Sequence, residues 1–170
     1  MEHWQVLPLA NLGFSRIDGA YSTYGAINTE PRLPKTIRVL NNILKEGAPL
    51  VLGVWNKYCL YEMFGYTFKL KPRLAFARLR NPVPVGKSRF CVATNAFSVR
   101  SLGKIVEPYF ELTNVYGVVI TLPPSNLTRY IPRGRLFGFW KVIDFNMGRA
   151  FPLNRLGYHF LGVYRRRPAS

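Results

Sequence analysis

The chain has 170 residues, a mass of 19.5 kDa, 24 Lys and Arg against 8 Asp and Glu, and a net charge of +16. Its 48% apolar and 15% aromatic content excludes a disordered basic tail, and its length suffices for one domain whose core needs no staples. The longest uncharged apolar run, Ala48 to Trp55, contains Pro49 and Gly53 and falls far short of the about 20 residues that a membrane-spanning helix needs.

In chain order, residues 1–33 read as an irregular extended arm, because Leu7-Pro8-Leu9, Asp18-Gly19-Ala20-Tyr21 and Thr29-Glu30-Pro31-Arg32 are turn signals without a sustained period. Residues 34–46 carry the clearest helix. Pro34 suits the first helical position, Leu33, Ile37, Leu40 and Leu44 share a face with Ile43 beside them, and Gly47 supplies the stop. From Pro49 onward the pattern reads as β-rich. Leu50–Trp55 and Tyr58–Phe64 predict a hairpin about Asn56-Lys57, with a helix over 54–63 as the other reading of a short apolar run. Thr67–Phe76 alternates, with Lys69, Lys71 and Arg73 on one side and Phe68, Leu70, Leu74 and Phe76 on the other; Pro72 makes it an edge strand or a broken one. Arg89–Val99, Ile105–Leu112, Tyr116–Leu122, Arg135–Phe145 and Tyr158–Tyr164 read as further strands. The expected fold is α+β, mainly an antiparallel sheet or small barrel with one helix. The expected division is an arm (1–33), a single β-rich domain (34–164) and a short basic tail (165–170).

The charge is uneven. It is net +2 over residues 1–60 and net +7 over each of 61–110 and 111–170, and Arg outnumbers Lys two to one. Three basic clusters stand out as candidate RNA-binding residues. The first is Lys69, Lys71, Arg73, Arg78, Arg80, Lys87 and Arg89, with no acid among them and with Phe68, Phe76 and Phe90 interleaved. On a strand, Lys69, Lys71 and Arg73 would project at about 6.6 Å intervals, near the phosphate spacing of an extended single strand. The second is Arg129, Arg133 and Arg135 about Gly134, where a backbone can approach a phosphate closely. The third is Arg165, Arg166 and Arg167 at the tail. Tyr130, Phe137 and Tyr164 are candidates for stacking on bases.

Enzyme signatures fail one by one. Gly86-Lys87-Ser88 lacks the first glycine of a P-loop, since position 81 is Asn, and Pro82 and Pro84 stiffen the loop. No Gly-x-Gly-x-x-Gly occurs, the eight acids are dispersed, and His159 in Tyr158-His159-Phe160 reads as a packed or stacking histidine rather than a general base. Cys59 and Cys91 lack any Cys-x-x-Cys spacing and read as reduced core residues, and no signal peptide opens the chain. The sequence therefore predicts no catalytic residue, no metal site and no cofactor.

The profile of a small, Arg-rich chain with a β-rich core, an irregular arm and a basic tail resembles that of ribosomal proteins in composition. The resemblance implies a non-enzymatic RNA-binding component of a large ribonucleoprotein, most simply a mitochondrial ribosome, or otherwise a cytoplasmic ribonucleoprotein. Its partners would be rRNA and neighbouring proteins, with no small-molecule substrate. The alternative is an accessory structural subunit of a mitochondrial respiratory complex whose basic surface faces anionic lipid or another subunit. An enzyme acting on nucleic acid would need a convergent acid or His site.

Overall fold

The computed structural model describes residues 16–23, 25–80, 82–85, 92–123 and 134–168. Among the described residues, six strands, β1 (Ala20–Ser22), β2 (Pro49–Trp55), β3 (Val83–Val85), β4 (Val92–Thr94), β5 (Phe110–Val118) and β6 (His159–Arg166), are interspersed with five α-helices. The helices are α1 (Leu33–Ile43), α2 (Leu60–Phe68), α3 (Pro72–Ala75), α4 (Val99–Val106) and α5 (Arg135–Met147). β1, β2, β6 and β5 form one mixed sheet in that order, and β3 and β4 form a separate two-stranded ribbon. β1 is parallel to β2, the two joined through α1, while β6 runs antiparallel to both β2 and β5. Parallel neighbours need such a crossover; a tight turn cannot join them.

The physical basis of the core is plain in β2 and β6. Leu50, Leu52 and Val54 alternate along β2, Phe160 and Tyr164 lie in register beside them on β6, and all five are buried. The layer over this face comes from α1, through Leu33 and Ile37, and from α4, through Val99, Leu102 and Val106. Ile37 is fully buried, so Ile37→Ala removes core volume and costs about 2–5 kcal/mol. Ser98 caps α4 with a reciprocal capping box to Ser101. α1 starts within one residue of the sequence expectation, and Pro34 lies in its first turn. It ends at Ile43, because Leu44 turns extended and pairs with Ile17 before Gly47 takes a positive φ of 72° into β2.

An antiparallel sheet or barrel with one helix is not what forms. Tyr58–Phe64 is the first part of α2, and Thr67–Phe76 spans the end of α2 and α3. Its alternation does not report a strand, because Phe68, Leu70 and Leu74 are exposed and no neighbour pairs with them in a sheet. Ile105–Leu112 straddles the end of α4 and the start of β5, and Arg135–Phe145 is helical. Arg89–Val99 shrinks to β4 and the cap of α4 within the described residues. Leu50–Trp55 and Tyr158–Tyr164 are strands, paired with each other as well as with β1 and β5 respectively. Within the segment read as an arm, β1 pairs with β2 and Ile27 and Asn28 are buried; within the segment read as a tail, Arg165 and Arg166 end β6.

Candidate functional site

The sheet registers Trp55 beside His159 and His159 beside Val118. The carboxyl ends of β2 and β5 and the amino end of β6 therefore share one edge, and β1 ends on the same side as its parallel neighbour β2. This edge gathers most of the buried polar side chains. Asn28, fully buried, donates from Nδ2 to the Trp55 and Asn95 carbonyls at 3.0 and 2.6 Å and accepts from the Trp55 N–H at 2.8 Å. Asn56, also fully buried, donates from Nδ2 to the carbonyls of Tyr58, Arg155 and Gly157 at 2.8–2.9 Å. Each asparagine thus bonds several backbone carbonyls around the end of β2 and ties it to segments distant in sequence.

Arg78 is the centre of the edge. Its Nε and Nη2 donate to the two carboxylate oxygens of Glu62 at 2.7 and 2.8 Å, and Nη1 donates to the Asn56 and Tyr158 carbonyls at 2.9 and 3.0 Å. Its guanidinium carbon lies 4.3 Å from the Trp55 ring centroid and 4.2 Å from that of Tyr158, so the plane is stacked between two aromatic faces. A lysine could reproduce neither the fork nor the stacking. Beside it, burial and the Arg78 charge hold the His159 imidazole well below its usual range, down to about 4. His159 is consequently neutral at physiological pH and meets Tyr158 edge-on at 4.8 Å. Burial pushes the Cys59 thiol up to about 11, which leaves it a protonated packing group and not a nucleophile.

The predicted RNA-binding residues that are described sit on several different elements. Lys69 and Lys71 flank the turn between α2 and α3, Arg73 lies on α3 and Arg80 follows it, all four exposed, while Arg78 is buried in the cluster just described. No row of strand-spaced cations exists among these five. Arg135 opens α5, exposed. Arg165 and Arg167 are exposed at the opposite edge of the sheet, whereas Arg166 is buried against Asn41. Lys87, Arg89, Arg129, Arg133 and Tyr130 lie outside the described residues, as does Cys91. Tyr164 cannot stack on a base, because it is fully buried in the core; Phe137 is half-buried, with Lys141 over its ring at 5.6 Å. Among the described residues, no group of three or more His, Cys, Asp or Glu could hold a metal, and no helix is long and apolar enough to cross a membrane. Asn28, Asn56 and Glu62 were missed by sequence reasoning. The only signal was an asparagine set in an apolar run, as in Gly25-Ala26-Ile27-Asn28 and Gly53-Val54-Trp55-Asn56.

No family model and no curated protein matches the sequence. Among solved structures, the chain is similar to one chain of the complex between the Haloferax volcanii Trm112 methyltransferase activator and a protein assigned as a methyltransferase. The TM-score is 0.48 and the identity 11%, over 92% of this chain and 56% of that one. It is similar also to a SAM-dependent methyltransferase from Archaeoglobus fulgidus, with a TM-score of 0.42 and 14% identity, over 92% of this chain and 62% of that one. The chain thus spans less than two thirds of either. Likeness at this level assigns no activity. Arg78, Arg166 and Tyr164, all counted toward RNA contact, are buried, which corrects the expectation of a non-enzymatic rRNA-binding component, or of a respiratory-complex accessory subunit, that has no small-molecule substrate.

Proposed function

We propose that this chain is the acceptor-binding part of a group-transfer enzyme of the methyltransferase kind, acting at the edge where β1, β2 and β5 end. The observation that supports it is the convergence on that edge of Asn28, Asn56, the Arg78–Glu62 pair, Trp55, Tyr158 and a neutral His159. In open sheets that carry parallel strands, ligands bind outside the carboxyl ends of those strands, where connecting loops diverge and leave a crevice. Buried polar networks are costly unless fully paired, and this one rigidifies the loops that would frame such a crevice.

S-adenosylmethionine, the first donor to consider, carries a sulfonium, an ammonium and a ribose diol, all best held by carboxylates. The two acids at this edge are already committed. Glu62 is held by Arg78, and Asp144 Oδ1 accepts from the backbone N–H groups of Ile120, Thr121 and Leu122 and from the Thr121 hydroxyl. The described residues therefore do not fit that donor by themselves, and in this reading their share is the acceptor: Arg78 braces Trp55 and Tyr158, the asparagines fix the loops, and the neutral His159 adds no charge to the edge.

The experiment is depletion. An extract of the source cell, in which every partner is present, is immunodepleted of this chain and incubated with methyl-tritiated S-adenosylmethionine. Loss of label from at least one product, relative to a mock-depleted extract, is the expected result. An unchanged profile of labelled products overturns the reading.

A further inference from the structure

Between the carboxyl end of β5 and α5 lies an open cavity of about 450 Å³, lined by Tyr116, Val118, Leu122, Phe145 and Leu161. Its walls are apolar and its size falls within the about 300–1,000 Å³ of small-molecule sites. Two cations stand on it, Lys141 and Arg149. Both are exposed, and neither has a carboxylate within ion-pair distance among the described residues. Arg149 is held over the Phe145 ring at 4.4 Å, so its charge is presented beside the apolar wall. The one acid in the lining, Asp144, is buried, and its Oδ1 carries the four hydrogen bonds that fasten α5 to residues 120–122. The charge facing a ligand is therefore positive.

One of the two non-glycine residues with positive φ among those described lies at the cavity, the other being the exposed Leu70. Val119, one of its lining residues, has a φ of 57°, a left-handed conformation that a β-branched side chain rarely adopts. It is kept there by the Tyr158 N–H, which donates to the Val119 carbonyl at 2.7 Å. Next to it, Gly117 and Gly148 pack backbone to backbone, the Gly117 N–H donating to the Gly148 carbonyl at 2.8 Å. Such over-determined strain collects at ligand sites.

We infer that this cavity binds an amphipathic organic anion, an apolar chain or ring with a single anionic head, with the body against Val118, Leu122 and Leu161 and the head toward Lys141 and Arg149. The cavity adjoins that edge, since its Val118 pairs with His159 on β6; the anion would be the acceptor of the transferase reading, on which its biological role rests, but not the binding itself.

The test uses the full chain, labelled with ¹⁵N, and three probes that share one tail: octanoate, octanol and octylammonium. Octanoate should saturate with shifts at the Gly117 and Gly148 amides, and should bind about tenfold more tightly than octylammonium. The exposed double substitution Lys141→Glu with Arg149→Glu should weaken octanoate about tenfold and leave octanol unchanged. Val118→Trp, which fills the cavity, should abolish binding of both. Equal binding of octanoate and octylammonium overturns the inference. So do shifts that gather at the exposed Phe64, Phe68 and Leu70 instead. Octanoate binding at the cavity with unchanged labelling in the depleted extract removes the transferase reading alone; lost labelling without octanoate binding removes this inference alone.

Discussion

Two residues make the sharpest claims at the scale of the side chain. Arg78 and Glu62 are both largely buried, with 4% and 12% of their side-chain surface accessible. Removing one partner of a buried pair leaves an uncompensated charge, which costs far more than the pair itself contributes. Arg78→Ala should therefore lower stability by about 3–5 kcal/mol in chemical denaturation. Arg78→Met combined with Glu62→Leu should recover most of that loss, and a double variant as unstable as the single one would show that the two rings, and not the charges, dominate. His159 supplies the pH dependence. Its folded value lies near 4, against an ordinary 6.5, so the unfolded chain takes up the proton first. The contribution is complete above pH 6.5 and is lost as pH falls toward 4. Thermal midpoints should drop across that window, and His159→Gln should flatten the drop; an unaltered pH profile in the variant would assign the acid lability to other groups.

Elements show how close approach, more than propensity, sets the geometry. β5 and the end of α5 touch through glycines, and a Cβ built on Gly148 would overlap the Gly117 carbonyl oxygen. Gly148→Ala should thus force the helix end away from the strand, costing about 1–3 kcal/mol, and should widen the cavity. Nitrogen-15 shifts confined to residues 115–119 and 144–150 would confirm it, and a neutral effect on the denaturation midpoint would refute it. The same elements show what the sequence could and could not disclose. The α1 helix was legible because its apolar spacing agrees with a start at Pro34, although the chain leaves the helix at Leu44, before Gly47. Residues 135–147 were not, because Leu136, Phe139, Val142 and Phe145 are apolar yet exposed, so the helix has no single buried stripe to announce a period. What anchors it is Asp144, reaching backbone groups 22–24 positions away. Residues 67–76 misled in the opposite way: an alternation of Lys and apolar residues normally reports a half-buried strand, but here both sets face solvent.

For the whole molecule, charge remains the governing quantity. At +16 the folded chain repels itself, and salt screens that repulsion over a Debye length of about 10 Å at 0.1 M. The competing loss is small, since an exposed pair such as Lys45–Asp18 contributes at most about 1 kcal/mol. The thermal midpoint should accordingly rise on going from about 20 to about 200 mM sodium chloride; a fall would mean that local pairing outweighs net repulsion. The candidate site also belongs to this scale. Glu62 is 16 positions from Arg78, Asn28 is 67 from Asn95, and Asn56 is 101 from Gly157, and no local pattern links such pairs. The sequence alone determined the charge, the helix α1, and the two strands β2 and β6, because each follows from residues a few positions apart. Only the tertiary structure decided that an arginine counted among the phosphate-binding set is enclosed between two rings, and that three strand ends meet at one edge, because burial and register are set by contacts between segments whose order along the chain carries no record of them.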